Sequence, residues 1–204
     1  HFTGAEQQLN LELEKFGCFE VTLLANGGDS TASCRIVRIP EPLNIAPQDS
    51  FMGMNIFQQQ LWYHSCQLPL FAKAGIRWIR PWLHWENTWK FQEPRAGEFN
   101  TAPLDSLLRR LEAHDQKFEY IIYNFSPVLK LSSTEMSPLN EEQMASYLEY
   151  VRKIVTHCGD RVNDYEIWNE PDLLALKNTS FDARFSAELV RRSAAAIREV
   201  NPNA

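Results

Sequence analysis

The chain has 204 residues, enough to bury a real core, and its 44% hydrophobic and 23% charged residues are the usage of an ordinary globular protein. A net charge of -6 argues against nucleic acid or an anionic membrane surface as the main partner. No run approaches the ~18 apolar residues of a membrane span. Six Trp, six Tyr and twelve Phe are an aromatic excess that serves a core first, though clefts that stack sugar rings also need flat apolar faces. The chain starts at His1 rather than Met and shows no signal peptide, which predicts a processed or cut N-terminus.

The first ~40 residues read as β. Leu9, Leu11 and Leu13 alternate with polar residues, as do Phe19, Val21 and Leu23, and Cys34 to Ile39 follows the turn Asn26-Gly27-Gly28-Asp29. Three short strands are too few for an independent sheet, so residues 1–45 are expected to be part of a β-sandwich-like module plus a linker marked by Pro40, Pro42 and Pro47. Cys18 and Cys34 flank the turn, and a hairpin disulfide and two buried free thiols both fit. Cys66 and Cys158 stand on apolar helix faces and read as core.

From residue 46 to 204 the pattern alternates strand and helix. Phe51 to Phe57 reads as a strand, followed by a helix through Leu61, Leu68, Leu70, Phe71 and Ala74 that stops at Gly75. Ile76 to Arg80 is the next strand, and a long loop leads to a helix opened by Pro103 and Asp105 with Leu104, Leu107, Leu108 and Leu111 on one face. Phe118 to Tyr123 is a strand. The helix from Asn140 places Met144, Tyr147, Leu148, Val151, Ile154, Val155 and Cys158 on one side. Tyr165 to Trp168 is the last strand, and Phe185, Leu189, Val190, Ile197 and Val200 line the last helix. Such a series predicts an α/β fold with a parallel sheet, either doubly wound or part of an eight-unit barrel. Phe57-Gln58-Gln59-Gln60 stands where a phosphate-binding glycine loop would follow the first strand, which disfavours an open sheet that binds a nucleotide. Arg80, Asn124 and Glu170 all follow strands, where barrels carry their chemistry.

The densest motif is Trp168-Asn169-Glu170-Pro171-Asp172, directly after Asp164-Tyr165-Glu166-Ile167. A carboxylic acid beside an amide and a tryptophan, at the end of a strand, is what cleavage of a glycosidic bond needs for its proton donor.

These segments resemble the retaining glycoside hydrolases of clan A, a superfamily of TIM-type (β/α)8 barrels. Phe51 to Asn55 is similar to their first strand and Gly75 to Arg80 to their second, ending in the arginine often found there. Trp89-Lys90-Phe91-Gln92-Glu93-Pro94-Arg95-Ala96-Gly97-Glu98-Phe99 is similar to their loop with Trp, Glu-Pro and Gly, and Trp168 to Pro171 to their acid/base strand. The resemblance covers Phe51 to Ala204 and implies the first four β/α units of such a barrel.

It implies that Glu170 is the general acid/base and that Asn169 hydrogen-bonds the sugar 2-hydroxyl, a contact that strengthens in the transition state. Arg80 would stand beside the nucleophile, and His84, Trp85, Asn124 and Trp168 would join the substrate-binding residues. Structural readings stand beside these: Glu170 as an exposed loop carboxylate, Arg80 in an ion pair inside the barrel mouth, Asn124 capping a turn, His84 on a surface loop, and at least one of Trp82, Trp85 and Trp89 packed under the loop. Glu86 and Glu93 read as solvated. Asn124-Phe125-Ser126 and Asn178-Thr179-Ser180 match the glycosylation pattern, a match frequent by chance.

Retaining hydrolysis needs two carboxylates about 5–5.5 Å apart, and in clan A the nucleophile stands on the seventh strand. Eight units take roughly 250 residues, well beyond what Phe51 to Ala204 supplies. The chain therefore reads as part of a longer protein whose remaining half barrel carries the nucleophile. Alone it is expected to be inactive and to expose apolar faces and open sheet edges. The expected partner is a β-linked oligo- or polysaccharide, with no cofactor or metal, and an extracellular or periplasmic setting is slightly favoured. The competing class is a carbohydrate-binding or structural barrel without catalysis, against which the intact Asn169-Glu170 pair speaks.

Overall fold

The computed structural model describes residues 10–24, 30–41, 50–57, 67–82, 92–123, 138–171 and 183–204. The chain divides into two units, His1–Leu43 and Asn44–Ala204.

In the first unit β1 (Gly17–Leu24) and β2 (Ser30–Arg38) form an antiparallel pair. The expected strand around Leu9 to Leu13 is not formed over its described part, residues 10–13. Alternation gives a strand only where a partner ladder exists, and the β1–β2 register ends at Gly17 opposite Arg38. Both readings of the cysteine pair need correction. Cys18 lies opposite Val37 and Cys34 opposite Val21, so the two thiols sit on opposite faces of the hairpin and cannot bridge. They are free, as one reading had it, but exposed rather than buried.

The second unit is built on a parallel sheet of β3 (Gly53–Phe57), β4 (Trp78–Trp82), β5 (Lys117–Ile122) and β6 (Asp164–Ile167), hydrogen-bonded in that order. Its described helices are α1 (Gln67–Lys73), α2 (Ala102–Glu112), α3 (Glu141–Cys158) and α4 (Ala183–Val200). All four contribute to one core with one face of the sheet: Met54, Ile56, Ile79, Phe118, Tyr120, Ile122, Tyr165 and Ile167 from the strands meet Leu68, Leu108, Ile154 and Ile197 from the helices. Because strand side chains alternate, the intervening residues belong to the opposite face. These are Asn55, Trp78, Arg80, Lys117, Glu119, Ile121, Asp164 and Glu166, a mostly polar and charged set. A doubly wound sheet covers both faces with helices and tends to run apolar along its strands; this sheet carries its described helices on one side only.

The helices form where their sequences demand it. Gly75 ends the chain's turn after α1 at φ +78°, a left-handed conformation that glycine adopts without strain. Asn140 caps α3: its side chain accepts from the Gln143 backbone N–H, and Gln143 returns the bond to the Asn140 N–H. A cap of this kind is worth about 1 kcal/mol. The α3 stripe is buried as its period predicts, and so are the four leucines of α2. On α4 Leu189 and Ile197 are buried and Phe185 and Val200 pack against the core as expected, but Val190 is exposed, while Ser193 and Ala196 join the buried face and Ser193 Oγ donates to the Tyr147 hydroxyl at 3.3 Å. Small residues allow that close helix approach, which a hydrophobic period does not register. Leu70 on α1 is exposed as well.

Asp105, at the start of α2, ties that helix to the end of α3. His157 Nε2 lies 2.8 Å and Arg161 Nη1 3.4 Å from its Oδ1, and the Thr101 hydroxyl donates to Oδ2. Partial burial would raise the Asp105 pKa, but the His157 bond and the Arg161 charge outweigh it and hold the carboxyl below its ordinary value. A depressed carboxyl stabilises the fold above its unfolded pKa of about 3.9 and loses that contribution as pH falls through the lower folded value. Asp105→Asn is therefore expected to lower stability at neutral pH and to reduce its decline below about pH 4. Urea midpoints measured from pH 7 to pH 2.5 check this, and an undiminished acid decline in the variant would refute it.

Candidate active site

The site builds up from the charged face of the sheet, at the C-terminal ends of its strands. Asn55 on β3 is paired in register with Arg80 on β4, so their side chains stand next to each other on that face. Arg80 reaches across to β6, where its Nε donates to Glu166 Oε2 at 2.6 Å and its Nη2 to Oε1 at 2.7 Å. This fork-to-fork pair is the geometry a planar guanidinium is built for. The same Nη2 also donates to Asn169 Oδ1 at 2.7 Å, and Nη1 donates to Asn55 Oδ1 at 3.2 Å. One guanidinium thus fastens side chains from β3, β6 and the loop after β6. Hydrogen bonding to Glu166 is the main reason the Arg80 pKa stands above its ordinary value, against the lowering from burial.

Glu119 on β5 shares this face. Burial pushes its carboxyl pKa up, and the nearby charge of Glu166 pushes it further, with Arg80 pulling the other way.

The Trp-Asn-Glu motif leaves β6 with an unusual backbone. Trp168 has φ +70° and Glu170 φ +50°, both in the left-handed region. That region costs an ordinary side chain energy and is a real outlier for one as bulky as tryptophan. The surroundings hold the conformation in place. Trp168 N–H donates to the Ile122 carbonyl at 3.0 Å, its indole packs edge-to-face on Tyr123 at 5.3 Å, and the side chain is only 4% exposed. Between the two strained residues Asn169 is held by Arg80. Glu170 is exposed and makes no hydrogen bond or ion pair with the described residues.

Of the residues singled out from sequence, the structure brings Arg80, Asn169, Trp168 and Glu170 together at one edge. Trp168 is packed inside rather than displayed. Arg80 is in an ion pair across the sheet, as its structural reading had it. His84, Trp85 and Asn124 lie outside the described residues, as do Glu86, Trp89, Cys66 and both glycosylation patterns. Glu93, read as solvated, is buried. Its carboxylate accepts the Gly97 N–H at 2.9 Å and lies 3.6 Å from Lys153 Nζ. The loop folds back on itself around that carboxylate, with Asn100 N–H bonded to the Gln92 carbonyl at 2.7 Å, which pulls an acid out of solvent. Sequence reasoning missed Glu166 and Asn55. Alternation offered a signal for Glu166, which stands two residues before Trp168 and two after Asp164; its meeting with Arg80 depends on the crossing of strands.

No family model and no curated protein matches the sequence. Solved structures do match in shape. A family 39 glycoside hydrolase from the gut symbiont Bacteroides cellulosilyticus WH2 superposes with a TM-score of 0.70 at 20% identity, covering 92% of this chain and 37% of that one. The chain shares its fold with part of that glycoside hydrolase. A psychrophilic family 10 endo-β-1,4-xylanase follows at TM-score 0.53 and 17% identity, over 81% of this chain and 53% of that one. A β-mannanase from the blue mussel Mytilus edulis matches at 0.51 and 17%, over 80% and 55%. The chain therefore spans between about a third and just over half of the length of these glycoside hydrolases. Likeness at these identities establishes the fold; the chemistry of this chain has to be argued from its own residues.

Proposed function

We propose that the protein carrying this chain is a retaining β-glycoside hydrolase, with Glu170 as general acid/base. The observation that carries the reading is the pair of left-handed residues around Asn169. The fold accepts strain at Trp168 and Glu170, and the result is an exposed acid with no ion pair among the described residues, beside an amide locked by Arg80. A solvated loop glutamate would need neither feature, whereas strained backbone gathers at sites where a side chain must be aimed.

In the first step protonated Glu170 gives its proton to the glycosidic oxygen as that bond breaks, while a second carboxylate attacks the anomeric carbon and forms a glycosyl-enzyme ester. In the second step Glu170, now ionised, takes a proton from water as the water displaces the ester. Asn169 holds the 2-hydroxyl of the sugar through both steps. The four strands belong, in this reading, to a (β/α)8 barrel whose nucleophile stands on a strand outside the 204 residues. The helices on one face and the polar opposite face favour a barrel over a doubly wound sheet. The substrate is a β-linked oligo- or polysaccharide.

The test is turnover of nitrophenyl β-glycosides (gluco, xylo, galacto and manno) by the full-length protein, together with loss of turnover of the matching alkyl β-glycosides in Glu170→Gln. Sugar binding without turnover would favour a non-catalytic carbohydrate-binding barrel instead.

A further inference from the structure

Glu166 is a half-buried carboxylate that the two-step reaction does not use, yet it makes the two short bonds that fix Arg80. We propose that Glu166 is a positioning residue: through Arg80 it sets the orientation of the Asn169 carboxamide, so that the amide presents its NH2 to the substrate and can act there only as a donor. The inference rests on the reading of Glu170 as the acid/base of a glycosidase.

The chemistry of the guanidinium forces this orientation. Arginine has five N–H donors and no acceptor. The Asn169 atom that meets Nη2 at 2.7 Å must therefore be the carbonyl oxygen, and the NH2 group must turn away from Arg80. An unanchored asparagine could present either end to a sugar hydroxyl, which both donates and accepts. Here one end is taken. The remaining end fits a hydroxyl through its oxygen lone pair, leaving the hydroxyl hydrogen to another acceptor.

Arg80 can hold Asn169 this way only while its own plane is fixed. Asn55 contributes one longer bond of 3.2 Å, which leaves the guanidinium free to pivot. The fork to Glu166 uses Nε and Nη2 together and removes that freedom. Glu166 lies within β6, three residues before Asn169. The strand end thus carries both the residue to be aligned and the carboxylate that aligns it, with an arginine from β4 as the rigid link. The left-handed Trp168 between them turns the chain so that both side chains reach one guanidinium.

The test is a double-mutant cycle in the full-length protein, on whichever nitrophenyl β-glycoside of the four it turns over fastest. Glu166→Gln keeps the shape and loses the charged fork. Its kcat/KM is expected to fall about 10- to 100-fold, the scale of a misplaced positioning group. In an Asn169→Ala background the same change is expected to cost less than about 3-fold, because the group being aligned is gone. Arg80→Lys, which retains the charge without the fork, should behave like Glu166→Gln. A substrate lacking the 2-hydroxyl should show the same collapse of the effect. Circular dichroism of each variant separates misfolding from misalignment, and Arg80→Lys carries the test if Glu166→Gln does not fold. Equal losses in the wild-type and Asn169→Ala backgrounds would overturn the inference, as would an undiminished effect on the 2-deoxy substrate. Turnover of alkyl β-glycosides that survives Glu170→Gln, or no turnover by the wild type on any of the four, would instead sink the functional reading beneath it.

Discussion

Glu170→Gln is expected to lower kcat/KM on β-glycosides with unactivated alkyl leaving groups by about 10²–10⁴-fold, the usual contribution of a general acid. The substitution keeps the side chain's length and its exposed position after the left-handed φ at residue 170, so the change isolates the proton. A leaving group that departs readily as an anion needs little protonation, and a dinitrophenyl β-glycoside should lose much less in its first step. Its second step should still slow, because water then lacks the base that activates it. The expected signature is a burst of dinitrophenolate followed by slow turnover, which accumulation of a glycosyl-enzyme produces. Stopped-flow absorbance reads both phases. A uniform loss across leaving groups, with no burst, would mean that Glu170 binds or positions rather than transfers a proton.

The largest expected effect on stability lies in the loop before α2. Gln92 is buried and bridges two tyrosines: its Nε2 donates to the Tyr120 hydroxyl at 2.8 Å, and the Tyr150 hydroxyl donates to its Oε1 at 2.6 Å. Burial pushes both phenol pKa values up, so both remain protonated and both need hydrogen-bond partners. Gln92→Leu keeps apolar volume and takes one partner from each hydroxyl. At about 1–3 kcal/mol for each buried group that loses a partner, the expected destabilisation is about 2–4 kcal/mol. Chemical denaturation with the slope held constant measures it. A loss below about 1 kcal/mol would show that the other contacts of the two tyrosines suffice.

That bridge ties a loop to β5 and α3, and so joins the part of the chain that resembles the glycosidase loop to the sheet carrying Arg80. The same loop buries Glu93 against Gly97 and Lys153. Glu93, read from sequence as solvated, is thus part of the scaffold, together with Gln92. Polar residues in a loop look alike in sequence whether they face water or a buried tyrosine, and only the fold tells them apart.

The elements themselves were largely legible. Leucines at helical spacing placed α2, the stripe from Met144 to Cys158 placed α3, and Asn140 marked where α3 starts. The motif after β6 is what the proposed function starts from. What failed was a strand without a partner at Leu11, the placement of Val190 on the packed face of α4, and a cysteine pair judged by its distance along the chain. Each of these depends on what lies across the element rather than along it.

The amino-acid sequence by itself determined the alternation of strand and helix, the polar face of each strand and the presence of an acid beside an amide at a strand end. These are properties of neighbours within a few residues, where periodicity and capping act directly. Only the tertiary structure decided that Arg80 holds Glu166 and Asn169, residues 86 and 89 positions further along the chain. It also decided that Trp168 is packed and strained, and that the described helices lie on one face. Register between strands brings distant side chains within hydrogen-bond range, and no local pattern encodes which arginine will meet which carboxylate.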